Sequence, residues 1–145
     1  ALAALTLNGI AQGFVADKVA DLLRAEGLNR ILIDTGELSA LGPQPDGTPW
    51  PVTLDAGAGT LALADRALAT SAPLGTVFDA AGTVGHILHP ATGRPAPALW
   101  QIVSISAPSA ALADALSTAG CLMTSRAAIV AAVSAFPSAR LEAAV

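Results

Sequence analysis

The feature that most constrains the fold is a change of hydrophobic spacing on either side of Gly27. From Ile10 onward, apolar residues recur at close to helical spacing, and Gly27 follows them as a helix stop. Residues 30–34 (RILID) then form a short β-branched run, which is typical of a buried strand and which Gly36 ends. A chain that changes period in this way is neither all-helical nor all-β.

The rest of the chain predicts further short elements separated by Gly- and Pro-rich turns. Ser109 and Ser125 are expected to open two helices that end near residues 121 and 135. The turn-rich segments at residues 42–48, 55–60, 80–85 and 90–97 predict loops. Strands are predicted at residues 5–7, 51–54, 66–70, 86–88, 101–106 and 140–145. Because helices and strands do not alternate regularly, the fold class predicted is α+β.

Composition excludes several classes of protein. Of the 145 residues, 53% are hydrophobic and 12% charged, which is enough apolar material for a core and argues against disorder. The net charge is −4 and the seven basic residues form no cluster, so no nucleic-acid partner is expected. A single cysteine, Cys121, excludes an internal disulfide and a cysteine-based zinc site. The only methionine is Met123, so we expect the sequence to be part of a longer or processed protein.

The first candidate site is the glycine-rich entry to the first helix, residues 8–13 (NGIAQG). Small residues there allow a ligand to approach the backbone, and free N–H groups at a helix start attract anions. The alternative is an ordinary helix start.

The second candidate is the helix that Ser109 opens. Asp114, Ser117 and Thr118 stand at positions i, i+3 and i+4 and therefore share one face. A carboxylate with a hydroxyl one turn later suits a hard cation such as Mg²⁺. The alternative is a solvated polar stripe.

The third candidate is the segment 86–95 (HILHPATGRP), in which His86 is a candidate proton-transfer group. On a continuous strand His86 and His89 would point to opposite faces, so a shared metal is not expected. The alternative is a strand followed by a turn.

Thr70 and Ser71 end a predicted strand and offer hydroxyls to a ligand, but no Gly-x-Ser-x-Gly elbow supports a hydrolase.

Taken in order, five blocks resemble the ApbE family of FAD:protein FMN transferases. The family patterns run approximately D-L-[GNS]-G-I-A-[KQ]-G-[YF], a G-G-[DE]-like turn, A-T-S-G, H-I-[LI]-D-P-x-T-G-R-P and D-A-[LW]-[SA]-T. The matching segments here are residues 7–14, 34–37, 69–71, 86–95 and 113–118. The match covers nearly the whole chain.

The resemblance implies a fold, a reaction and partners. It implies an ApbE-like (T-fold-like) mixed sheet with packed helices, of which residues 1–145 are the C-terminal portion and to which an N-terminal portion of the same protein belongs. The implied reaction is Mg²⁺-dependent transfer of FMN from FAD to a Thr or Ser hydroxyl of an acceptor flavoprotein subunit, with release of AMP. It also implies a periplasmic or membrane-associated location.

Site residues follow from the resemblance by position. Asp114 and Thr118 are expected to hold Mg²⁺, together with the backbone carbonyls of Gly9 and Ala111. His86 is the expected catalytic residue. The expected contacts to the flavin nucleotide are Thr6, Gln12, Thr70, Ser71, His86 and Ile87.

The chain departs from the family patterns at a few positions. Thr6 stands where the first block has an Asp, His89 replaces the Asp of D-P-x-T-G, and Ala72 replaces the Gly after A-T-S. Two alternatives therefore stay open: a degenerate relative that binds flavin without transferring it, and a hydrolase that splits the FAD pyrophosphate with water.

Overall fold

The computed structural model describes residues 5–145, which form three helices and nine strands. The helices are α1 (Ala11–Ala25), α2 (Ala110–Gly120) and α3 (Arg126–Val133). The strands are β1 (Ile31–Asp34), β2 (Leu38–Leu41), β3 (Trp50–Leu54), β4 (Gly59–Leu63), β5 (Arg66–Ser71), β6 (Leu88–His89), β7 (Arg94–Pro95), β8 (Val103–Ala107) and β9 (Arg140–Ala144).

Five strands form the main sheet in the order β1-β2-β5-β8-β9, and β3-β4 and β6-β7 form two small ribbons. Every strand pair among residues 5–145 is antiparallel. Helix α2 packs on β5 and β8, and α1 packs on α2. The predicted α+β class, a sheet with packed helices, is confirmed.

The two later helices begin where their capping residues predict. Ser109 and Ser125 are extended, and their hydroxyls accept hydrogen bonds from the N–H groups of Leu112 (3.3 Å) and Ala128 (3.2 Å). Each bond satisfies one of the donors that a helix start leaves free. In α1, Ile10 occupies the capping position and no side chain caps the helix.

Small residues bring α1 and α2 unusually close together. Ala16 of α1, Ala67 of β5 and Ala110 of α2 form a fully buried cluster. At Gly13 an added Cβ would lie 2.3 Å from the carbonyl oxygen of Ala110, so only glycine fits at this crossing. The crossing places the first turn of α1 beside the middle of α2, where Asp114 lies.

One predicted strand is wrong, and another is shorter and displaced. Residues 5–7 form no strand, because the Leu7 carbonyl accepts the N–H groups of Ile10 (3.0 Å) and Ala11 (2.9 Å) and so leads directly into α1. The strand predicted at residues 86–88 is reduced to Leu88–His89, since the N–H of His86 bonds to a loop carbonyl instead.

Two strands of good length, β2 and β4, were not predicted. Their sequences, LSAL and GTLAL, are poor in β-branched residues, and pairing with neighbours rather than local propensity makes them strands. Strand β4 also begins at Gly59, inside the loop predicted at residues 55–60. No helix within residues 5–145 is long and apolar enough to cross a membrane.

Candidate functional site

A cavity of about 420 Å³ opens between the start of α1, the end of β5, helix α2 and the loop before β6. It collects nearly all the residues selected from the sequence, although they come from five separate blocks. Ala111 does not line it, and its N–H bonds to Asp17. The selected residues that line the cavity are Thr6, Gly9, Gln12, Thr70, Ser71, His86, Ile87, Asp114 and Thr118.

Asp114 is the carboxylate of α2 that faces the cavity, and it is only 4% exposed. Its Oδ2 accepts the backbone N–H of Gly13, in the first turn of α1, at 3.0 Å. Burial raises the pKa of Asp114, and the Gly13 hydrogen bond opposes that rise. Because Asp114 is 4% exposed and Ser117 is fully buried, this face of α2 is not a solvated polar stripe.

A chain of hydroxyl groups fixes the direction of Thr118. The Ser117 hydroxyl donates to the Asp114 carbonyl (3.0 Å), so its oxygen can only accept from Ser71 at 2.7 Å. Ser71 then accepts from the Thr118 hydroxyl at 3.2 Å. The lone pairs of Thr118 Oγ1 are thereby left for another partner. Gly9 lies against the same residue, since a Cβ added there would lie 3.0 Å from Thr118 Cγ2.

His86 faces the cavity from the loop that precedes β6, and its side chain is exposed. Its Nδ1 lies 3.1 Å from the Thr76 carbonyl, which can only accept, so Nδ1 carries the proton. In the neutral ring Nε2 is therefore free to accept a proton. His89 lies outside the cavity lining, and its Nδ1 accepts the N–H of Ala91 at 3.2 Å within the next turn.

Thr6 and Gln12 line the mouth of the cavity near the start of α1. Thr6 is a neutral residue, and its hydroxyl accepts the N–H of Asn8 at 3.2 Å. The amide of Gln12 lies over the β1–β2 turn, where a Cβ added at Gly36 would be 3.2 Å from its Nε2. Ile87, 7% exposed, supplies an apolar wall.

Glu37 is a cavity residue that sequence reasoning quoted only as part of a turn. It directly precedes β2, is 6% exposed, and its Oε2 has no hydrogen-bond partner within residues 5–145. Burial, followed by the negative charge of Asp114, raises the pKa of Glu37 from 4.5 to about 8, against the opposing effect of the Thr70 N–H. An acidic residue at the start of a strand, next to a glycine turn, was the only signal in the sequence.

Asp17 is a second residue that was missed, and it lies outside the cavity. Its two carboxylate oxygens accept the N–H groups of Ala110 (2.7 Å) and Ala111 (2.9 Å) at the start of α2. An acidic side chain at a helix N-terminus is favourable both as an acceptor and as a charge. Asp17 therefore fixes α2 against α1 and supports the position of Asp114.

The donor set fits a hard divalent cation such as Mg²⁺. The cavity offers the carboxylates of Asp114 and Glu37 and the hydroxyl of Thr118, and no Lys or Arg lines it within the described chain. Residues 5–145 contain no cluster of three or more His, Cys, Asp or Glu side chains suited to a metal. The carboxylate and hydroxyl oxygens of the cavity are the ligand type that Mg²⁺ prefers, with water completing the shell.

Curated proteins named FAD:protein FMN transferase are similar in sequence to this chain. The chain is 35% identical over 132 residues to the FAD:protein FMN transferase of Treponema pallidum, covering 79% of this chain and 36% of the relative. It is 31% identical over 121 residues to the transferase of Escherichia coli (strain K12), covering 77% of this chain and 34% of the relative. It therefore spans about a third of the length of these curated relatives.

A solved structure supports the same assignment. The ApbE protein of Thermotoga maritima superposes with a TM-score of 0.77 at 31% identity, covering 88% of this chain and 44% of that one. The sequence model described as the ApbE family matches residues 1–140. The resemblance inferred from five sequence blocks is confirmed, and the chain belongs to the ApbE family.

Proposed function

We propose that this chain carries the cation and flavin-nucleotide site of an enzyme that transfers FMN from FAD to a Thr or Ser hydroxyl of an acceptor protein. The observation that carries the proposal is the single cavity in which Asp114, Thr118 and Gly9 meet Gln12 and His86. The relatives named FAD:protein FMN transferase supply the reaction.

The transfer is a displacement at phosphorus. The acceptor hydroxyl oxygen attacks the phosphorus of the FMN half of FAD and forms a new P–O bond. The bond from that phosphorus to the bridging oxygen breaks, and AMP leaves with the electron pair. The hydroxyl proton passes to Nε2 of His86, the ring nitrogen that accepts in the neutral tautomer with Nδ1–H bonded to Thr76.

Cation ligands come from the α2 side of the cavity. Asp114 and Thr118 would hold Mg²⁺ with the carbonyl of Gly9, whereas Ala111, which the resemblance also implied, does not line the cavity. When bound, Mg²⁺ supplies positive charge that stabilises the phosphoryl oxygens during transfer. The chain's own part is to fix this set: Gly13 holds the Asp114 carboxylate by its N–H.

The flavin nucleotide would be bound by the opposite walls. Gln12 and Thr6 at the mouth offer polar groups, and Thr70 and Ser71 at the end of β5 offer hydroxyls. Ile87, next to His86, presents apolar surface suited to a ring system.

Flavin binding without transfer is a second candidate, and a specific observation favours it. Thr6 is neutral and its hydroxyl is engaged with Asn8, where the family pattern has a carboxylate. The His89 departure bears less on the choice, because His89 does not line the cavity. Hydrolysis of FAD by water would use the same cation and leave free FMN.

Partners and location belong to the same proposal. An N-terminal portion of the protein would cover large apolar side chains that are exposed here, such as Leu5 (91%), Phe14 (55%) and Phe78 (68%). The acceptor would be a flavoprotein subunit, and the location periplasmic or membrane-associated.

The test is FAD turnover with and without Mg²⁺, on the 145-residue chain and on the full product of its gene, with an acceptor subunit present. We expect Mg²⁺-dependent release of AMP and flavin fluorescence on the acceptor. Asp114→Asn should lower the rate at least about 100-fold, as expected for loss of a charge-stabilising group. The exposed Asp21→Asn is the control.

The products separate the candidates. Free FMN with no labelled acceptor identifies the hydrolase. FAD bound without AMP release, in both chain lengths, identifies the binding protein and refutes the transferase.

A further inference from the structure

Glu37 is a cavity carboxyl group to which the proposed transfer assigns no role. It is 6% exposed, it lines the cavity, and its Oε2 has no hydrogen-bond partner among the described residues. Buried carboxylate oxygens are nearly always paired, so an unpaired one requires an explanation.

The backbone around Glu37 is fixed by a tight turn between β1 and β2. The N–H of Gly36 donates to Asp34 Oδ1 (3.1 Å), the N–H of Thr35 donates to the Glu37 carbonyl (3.2 Å), and Gly36 has a φ of +96°. Only glycine adopts that φ without strain. The side chain of Glu37 is therefore directed by a built turn and not by a loose loop.

Asp114 and Glu37 line the same cavity, and in their ionised forms they would give it two negative charges. No Lys or Arg from the described residues lines the cavity to offset them, and His86 is the only basic side chain there. Two carboxylates without a basic partner are balanced by one divalent cation.

Asp114, Thr118 and Gly9 approach the cavity from α2 and the start of α1, whereas Glu37 approaches it from β2. We infer that Glu37 is a second carboxylate facing the same divalent cation as Asp114, so that the cation is held between the sheet and the helices. The inference rests on the proposed function only for the Mg²⁺ class of the cation. It adds a ligand that the five sequence blocks did not assign.

Direct cation binding tests it without FAD. Mn²⁺ bound to the chain would be measured by the loss of the free Mn²⁺ EPR signal, with Mg²⁺ as competitor. We expect Glu37→Gln to weaken Mn²⁺ binding at least tenfold and Asp114→Asn to weaken it at least as much. Glu26→Gln makes the same change at an exposed position outside the cavity and should leave the affinity within twofold.

Three results would overturn the inference. The first is an Mn²⁺ affinity of Glu37→Gln within twofold of the parent's while Asp114→Asn weakens binding. The second is the absence of Mn²⁺ binding by the parent chain at millimolar concentration. The third is Mg²⁺-dependent AMP release that Glu37→Gln leaves unchanged. Loss of Mn²⁺ binding in Glu37→Gln, with no AMP release from FAD by either chain length, would support the role of Glu37 and refute the transferase.

A crystal of the parent chain with Mn²⁺ keeps the test independent of how the variant folds. We expect an anomalous peak within direct coordination distance, about 2.0–2.3 Å, of carboxylate oxygens of both Glu37 and Asp114. A peak that contacts Asp114 alone would contradict the inference.

Discussion

Replacing Gly13 by alanine has two opposing effects on stability, a gain in helix propensity and a steric overlap with α2. Gly13 is the third residue of α1, and helix propensity alone favours alanine by about 0.8–1.0 kcal/mol. The added Cβ, however, would lie 2.3 Å from the Ala110 oxygen, 2.5 Å from its carbonyl carbon and 2.7 Å from the Ala111 nitrogen. All three are backbone atoms, so no side-chain rotation relieves the overlap.

The helices must therefore separate by about 1 Å. Overpacking of this kind costs about 1–3 kcal/mol. The separation also stretches the hydrogen bond from the Gly13 N–H to the Asp114 carboxylate, a type of bond that contributes about 1.5–3 kcal/mol. After subtracting the propensity gain, we expect Gly13→Ala to lower the free energy of unfolding by about 2–5 kcal/mol, and Tm by about 6–20 °C for a chain of this length.

Urea denaturation and thermal melting at neutral pH, without added metal, measure the effect. Val15→Ala is the control on the same helix, because Val15 is 52% exposed and its replacement should change stability by no more than about 0.5 kcal/mol. A Gly13→Ala protein as stable as the parent, or more stable, would refute the close crossing of α1 and α2.

Three further predictions concern other buried groups. Because the pKa of Glu37 rises from 4.5 to about 8 on folding, stability should fall as pH rises across that window, by about 2–4 kcal/mol in EDTA. Glu37→Gln should remove this fall in urea titrations at pH 5 and 8.5, and equal pH dependence in both proteins would contradict it. Asp17→Ala should destabilise the chain by about 2–4 kcal/mol, since the N–H groups of Ala110 and Ala111 lose their acceptors, and thermal melting checks this. Cys121 is 1% exposed, and burial raises its pKa to about 12. The folded chain should therefore not react with a thiol reagent at pH 8, and rapid labelling of Cys121 would contradict its burial.

Much of the fold was predictable because its signals are local. Ser109 and Ser125 are capping residues before apolar runs, and both begin helices as expected. The β-branched runs became strands β1 and β8. Strand β2 was not predictable, because its LSAL sequence has no strand signal and its pairing with β1 and β5 decides its conformation.

The site was predictable to the extent that spacing carries it. The i, i+4 relation of Asp114 and Thr118 placed both on one face of a helix, and the structure directs that face into the cavity. The family resemblance then linked this helix to the glycine-rich start of α1.

Contacts between segments that are distant in the sequence could not be predicted from it. Asp17 bonds to residues 93 and 94 positions away, and nothing near it in the sequence indicates a helix start as its partner. Glu37 is buried in the folded chain and lines the same cavity as residues of α1 and α2. Its burial could not be deduced from the turn that precedes it.

The most direct test of the central claim is the mass of an acceptor subunit after incubation with FAD, Mg²⁺ and the full product of the gene. The account predicts a gain of one FMN, less water, on a Thr or Ser side chain, with an equal amount of AMP released. Both should be lost without Mg²⁺ and in Asp114→Asn. An acceptor of unchanged mass, or one labelled equally by Asp114→Asn, would contradict the claim that this cavity performs the transfer.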